Sequence, residues 1–184
     1  MVPYLRVSTV FDISQCEGIK PRREVKTIDH PPMEQVDALM EKFAESTGLK
    51  LELTKKSGSG SYSPSEHLVS VAGLRYHKTP NAYYSTVFHE LVHSTGKAMG
   101  RDMSGIFGNH KYSEEEIVAE CGAMLLCMEF GILKESEDNS VEYLRHWGEK
   151  LTENPKWLIQ GMSKAEKAVQ YIFEKMGYTP AVLG

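Results

Sequence analysis

Residues 87–96 read VFHELVHSTG, and whether they form an ordinary amphipathic helix or half of a metal site decides the fold. His89, Glu90 and His93 fit the pattern H-E-x-x-H. On a helix, residues four apart lie on one face, so His89 and His93 each present a ring nitrogen to one ion. Glu90 is then placed to take a proton from a metal-activated water and return it to a leaving amine. The neighbours Val87, Phe88, Leu91 and Val92 are apolar, as in a helix threaded through a core. A chance match in a chain this size is on the order of two per cent by composition. The competing explanation is a core helix with two satisfied histidines and a surface glutamate.

The flanking sequence supplies the frame. PPMEQVDALMEKFAESTG (31–48) sets Val36, Leu39, Met40 and Phe43 at helical spacing, with Gly48 as a stop. LKLELT (49–54) alternates like a half-buried strand, KKSGSGSYSPS (55–65) reads as a turn, and EHLVSVAG (66–73) is a second strand. In the motif helix Thr79 or Asn81 can cap, Pro80 suits the first turn and Gly96 the end. YSEEEIVAECGAMLLCMEFGI (112–132) is a strong helix, with Ser113 and Glu116 in a capping-box pattern and Gly131 as its stop. NSVEYLRHWGEKL (139–151) and NPKWLIQGMSKAEKAVQYIFEKMG (154–177) add amphipathic helices, the second with a break expected near Gly161. The expected class is α+β: a small N-terminal sheet followed by a mainly helical part. Residues 1–30, with the β-branched run VSTVFDI, read as an arm or linker, and 31–184 as one domain.

A catalytic zinc takes three protein ligands and keeps one position open. The helix after the motif offers Glu114, Glu115, Glu116 and Glu120. Glu116 and Glu120 share a face, whereas Glu114 and Glu115 read as cap and solvent residues. Glu120 precedes the apolar run CGAMLLCM and is expected to be buried, where a carboxylate must be paired or bound. One arrangement puts Glu116 on the metal and Glu120 one turn deeper, accepting a hydrogen bond from a ligand histidine. The reverse, Glu120 as ligand, stays open. Tyr112, His110, Arg101, Tyr83 and Tyr84 are candidate donors to the oxyanion that forms when water attacks a carbonyl. The strand LVSVA (68–72) is a candidate edge for aligning an extended peptide.

Bulk properties exclude several classes. The 184 residues are 41% hydrophobic and 25% charged, ordinary for a globular domain and unlike a disordered chain. No window approaches the roughly 18 consecutive apolar residues of a membrane span. The start, MVPYLRVSTVFDISQ, lacks the charged leader of a signal peptide, which favours a cytoplasmic location. A net charge of −4 compels no nucleic-acid partner, and KPRREVK (20–26) reads as a solvated basic loop. Cys16, Cys121 and Cys127 have no C-x-x-C spacing, so neither a disulfide framework nor a thiolate zinc site is expected.

Taken together, YYSTVFHELVHSTG, EEEIVAECGAMLLCMEFGI and the tail YLRHWGEKLTENPKWLIQGMSKAEKAVQYI resemble the metallopeptidase-like domain of the antirestriction protein ArdC family. GSYSPSEHLVSVAG and VFDISQCEGI also resemble segments leading into that domain, so the likeness covers nearly the whole chain. It implies a zincin-like fold with an edge strand at the cleft, His89 and His93 as ligands and Glu90 as catalytic base. A glutamate from EEEIVAE completes the site, and the similar ligand spacing of gluzincins puts Glu116 first. The implied cofactor is zinc, with manganese or another divalent ion as the alternative, and the implied substrate is a peptide or protein. Members of this family belong to plasmids and integrated mobile elements. Full-length relatives carry an N-terminal domain that binds single-stranded DNA. Such binding is expected here only through a domain these residues do not include. The expected activity is metal-dependent peptide hydrolysis; the alternative is a metal-stabilised antirestriction or protein-binding module with little turnover.

Overall fold

The computed structural model describes residues 27–55, 60–103, 110–132 and 156–181, and for residues 110–113 and 157 it describes the backbone only. The order is α1 (Glu34–Thr47), β1 (Lys50–Thr54), β2 (Gly60–Ser63), β3 (Leu68–Ala72), a 3-10 turn (Leu74–Tyr76), α2 (Pro80–Ser94), α3 (His110–Glu129) and α4 (Lys156–Met176). This is the expected α+β class, a small sheet followed by a mainly helical part. Most of the expected arm at 1–30, and the whole expected helix at 139–151, lie outside the described residues.

The sheet has the order β1-β3-β2. β3 runs parallel to β1, with Leu51 opposite Val69, and antiparallel to β2, with Gly60 opposite Val71. LVSVA is therefore the central strand, not the edge. Its Val69 and Val71 are buried against the helices, and both its sides carry ladder hydrogen bonds. The edge strand at the cleft is β2, which arises from GSYS inside the segment expected to be only a turn. Small polar residues hide a strand there because one of its faces must lie tight against α2.

The motif helix α2 is the centre of the molecule, in contact with β2 and β3 on one side and α3 on the other. Thr79 rather than Asn81 caps it, accepting from the Ala82 N–H at 3.1 Å, and Pro80 occupies the first turn, where its missing N–H costs nothing. Phe88, Leu91 and Val92 are fully buried, each contributing about 1.5–3 kcal/mol. Tyr84 is equally buried, accepts from the Met33 N–H and donates to Asp37 of α1 at 3.0 Å. Tyr83 packs edge-on against His77 and Tyr84. Both tyrosines thus serve the core, and neither lines the cleft.

Two expectations about the later helices change. α3 begins at His110, so Ser113 lies inside the helix and the Ser113–Glu116 capping box does not form. α4 runs unbroken through Gly161. A Cβ there would stand 2.5 Å from Ile117 Cγ2, so the glycine allows α4 to lie close on α3 rather than breaking it. Cys121 and Cys127 are buried reduced thiols, as expected. Among the described residues no helix is long and apolar enough to cross a membrane.

Candidate metal centre

The helical repeat of α2 puts His89 and His93 one above the other, facing the stretch of α3 from Glu115 to Glu120. Their Nε2 atoms are 3.1 Å apart, and each lies 3.4 Å from a different oxygen of Glu116. One ligand atom from each of His89, His93 and Glu116 can be chosen so that all lie within 4.8 Å of one another. The outer nitrogens are also engaged. His89 Nδ1 faces Glu120 Oε2 at 3.2 Å, and His93 Nδ1 faces Glu115 Oε1 at 3.1 Å. With Nδ1 donating in both rings, both Nε2 lone pairs aim at one place, and a carboxylate aims there too.

Such a cluster needs a cation. Donors about 2.0–2.2 Å from a tetrahedral ion stand about 3.4 Å apart, close to the 3.1 and 3.4 Å spacings of this cluster. Without one, protons take its place. Burial works against a charge on His89, but the carboxylates of Glu116 and Glu120 outweigh it and raise its pKa to about 10. Burial likewise opposes a charge on His93, and Glu115 and Glu116 reverse it, so its pKa is raised too. Burial pushes the Glu116 carboxyl up, yet hydrogen bonds from the two histidines hold it well below the usual range.

Glu90 points into the same cavity, a cleft of about 480 Å³ lined also by Gly60, Ser61, Tyr62, Asp102 and Met103. Burial raises its carboxyl pKa, and the attraction of His89 and His93 only partly offsets this. β2 presses directly on it. A Cβ at Gly60 would stand 2.8 Å from Glu90 Cγ, Glu90 Oε1 and Thr86 Cγ2. Gly60→Ala is therefore expected to displace the Glu90 side chain or the strand at a cost of about 1–3 kcal/mol. Metal affinity, read by chelator competition, should stay at the wild-type value, because the nearest contacts of a Gly60 Cβ are Glu90 and Thr86, not the three metal donors.

The structure brings together His89, Glu90, His93, Glu116 and Glu120. Glu115 is the residue the sequence reading missed. It was expected to face solvent, but it is buried, it orients His93, and Arg101 grips it. Its burial is opposed by the hydrogen bonds of His93 and Arg101, which leave its pKa lowered. Arg101 itself, a candidate oxyanion donor from sequence, is taken up by these contacts and does not line the cavity. The side chains of Tyr112 and His110, the other candidate donors, lie outside the described residues, although both positions begin α3.

Comparison with known proteins bears on the family and the fold. A family model described as zincin-like metallopeptidase matches residues 38–164. The chain is 27% identical over 172 residues to the uncharacterized protein y4eC of Sinorhizobium fredii (strain NBRC 101917 / NGR234), covering 92% of this chain and 54% of that protein. It is 27% identical over 173 residues to the DNA primase TraC of Escherichia coli, 92% of this chain but 12% of the primase. The chain thus spans about half of one relative and a small part of the other. Its fold is similar to that of the antirestriction protein ArdC from plasmid R388 in the Mn(II)-bound crystal structure. There the TM-score is 0.57 and the identity 22%, over 95% of this chain and 65% of that one. The metal-free ArdC structure gives a TM-score of 0.57 at 21% identity, over 92% and 60%. With an H-E-x-x-H helix, a facing glutamate helix and a family match across most of its length, the chain belongs to the zincin-like metallopeptidases.

Proposed function

We propose that this protein is a metal-dependent peptidase, with a divalent ion, zinc in the first instance and manganese in the second, held by His89, His93 and Glu116. When bound, the ion supplies Lewis acidity, which polarises a carbonyl and acidifies a water. The rest of the chemistry belongs to the chain. Glu115 and Glu120 fix the histidine tautomers that direct Nε2 inward. Glu90 takes the proton of the attacking water and hands it to the leaving amine nitrogen. The outer side of β2, which carries no further strand among the described residues, offers its backbone to an extended peptide.

The observation that carries this reading is Glu90. It is a buried carboxylate on the wall of the cavity that the three metal donors share, with its pKa raised toward the range a general base needs. A centre that served only to brace the fold would have no use for it.

A second reading is favoured by what the relatives are called, an antirestriction protein and a DNA primase, neither name denoting peptide hydrolysis. In it the ion stabilises a protein-binding or antirestriction module, and single-stranded DNA is reached only through a domain outside these residues. The two readings part in one experiment. The protein, stripped and reloaded with zinc or manganese, is offered a broad peptide library. The peptidase reading expects cleavage that a chelator stops and metal restores. Stoichiometric metal without any cleavage would leave the module, and no metal at all would sink both.

A further inference from the structure

We propose that Arg101 is a positioning residue of the metal centre, acting on the ion through Glu115 and His93; this rests on the metal-site reading above. Its guanidinium uses four of its five N–H groups. Nε donates to Glu115 Oε2 at 2.9 Å and Nη2 to Glu115 Oε1 at 3.0 Å. The same group reaches back to α2, with Nη1 on Thr95 Oγ1 at 2.9 Å and Nη2 on the Val92 carbonyl at 2.7 Å. The arginine side chain is only 7% exposed.

These contacts hold both ends of one hydrogen bond. Glu115 Oε1 accepts from His93 Nδ1, and His93 sits between Val92 and Thr95 on the last turn of α2. A single planar cation therefore fixes the carboxylate and the helix turn that carries the imidazole. A carboxylate touching histidine alone would be free to rotate, and the ring with it. The fork removes that freedom, because two parallel N–H···O bonds define its plane. The other arm is built differently. Glu120, which supports His89, has its ion pair with that histidine. The centre is thus braced by arginine on the His93 side, and this asymmetry makes the idea testable.

Zinc and manganese affinities are measured by chelator competition on the wild type and on Arg101→Met, Arg101→Lys, Glu115→Gln and Glu120→Gln. The doubles Arg101→Met/Glu115→Gln and Arg101→Met/Glu120→Gln complete two cycles. Arg101→Met is expected to weaken binding about 10- to 100-fold, the usual cost of losing such a support. Arg101→Lys, which keeps charge without the fork, should recover only part of this. Combined with Glu115→Gln the loss should not grow, whereas with Glu120→Gln the two losses should multiply. The visible absorption of the Co(II)-loaded protein should shift in Arg101→Met, a signature that general loosening away from the ion would not give. Wild-type affinity in Arg101→Met, or full additivity with Glu115→Gln, would overturn the proposal. Should the Met variant not fold, Arg101→Lys decides alone, and wild-type affinity there is equally fatal. A wild type that binds no metal would instead indict the metal centre itself.

Discussion

Glu90→Gln is expected to lower peptide cleavage about 10²–10⁴-fold, the usual contribution of a positioned general base, while metal still binds with wild-type affinity. The reasoning is geometric. Glu90 shares the cavity with the three metal donors but is not one of them, so its charge can go without removing a donor. Gln has almost the same shape and fits the narrow space against Gly60. What it lacks is the ability to accept a proton from water and release it to an amine. The loss corresponds to about 3–5 kcal/mol of barrier. Equal cleavage by both proteins would remove Glu90 from the mechanism and leave the proton transfer to another group.

The second large effect is on stability. At about a thousandfold excess over its dissociation constant, an ion bound only by the folded state adds about 4 kcal/mol. For a domain of this size that raises the melting temperature by about 8–16 °C. Glu116→Ala should abolish the shift, and Glu120→Gln should reduce it. A normal shift in Glu116→Ala together with none in Glu120→Ala would exchange the two assignments. pH acts on both sides of this equilibrium. In the metal-free protein the pKa of His89 is raised from 6.5 to about 10. That protonated ring stabilises the fold fully below about pH 6.5, and its contribution is lost as pH rises toward 10. Ion binding must displace the proton, so affinity rises across the same window. The melting shift on loading should therefore widen from pH 6.5 upward, and calorimetry in buffers of different ionisation enthalpy at pH 7 should register at least one proton released.

Much of this centre was legible because helices are periodic. Two histidines at i and i+4 must share a face, and so must Glu116 and Glu120, and the structure sets the two pairs against each other. The same periodicity misled at Glu115. One residue before Glu116 is a turn of about 100° away, which on an isolated helix means solvent. Here that direction meets the last turn of α2 and the loop carrying Arg101, contacts 14 and 22 residues distant that no local pattern reports. The sheet was half legible for a similar reason. Alternation marked β1 and β3, but strand order depends on which segment crosses over, and LVSVA reads the same at a centre as at an edge. β2 was hidden by its composition. Glycine and serine signal a turn, and here Gly60 is instead what fits a strand against Glu90.

The bonds that define the centre are also close along the chain. His89 and His93 are 4 residues apart, His93 and Glu115 are 22, and His89 and Glu120 are 31. Closing loops of this size is entropically mild, and each doubling of length adds only about 0.6 kcal/mol. The two helices therefore meet at a smaller loop-closure cost than α3 and α4, where Gly161 packs on Ile117. Sequence length gained or lost between α3 and α4, or ahead of α1, lies outside every one of these loops. Such a centre can be carried into proteins of very different size without the entropy of assembling it changing.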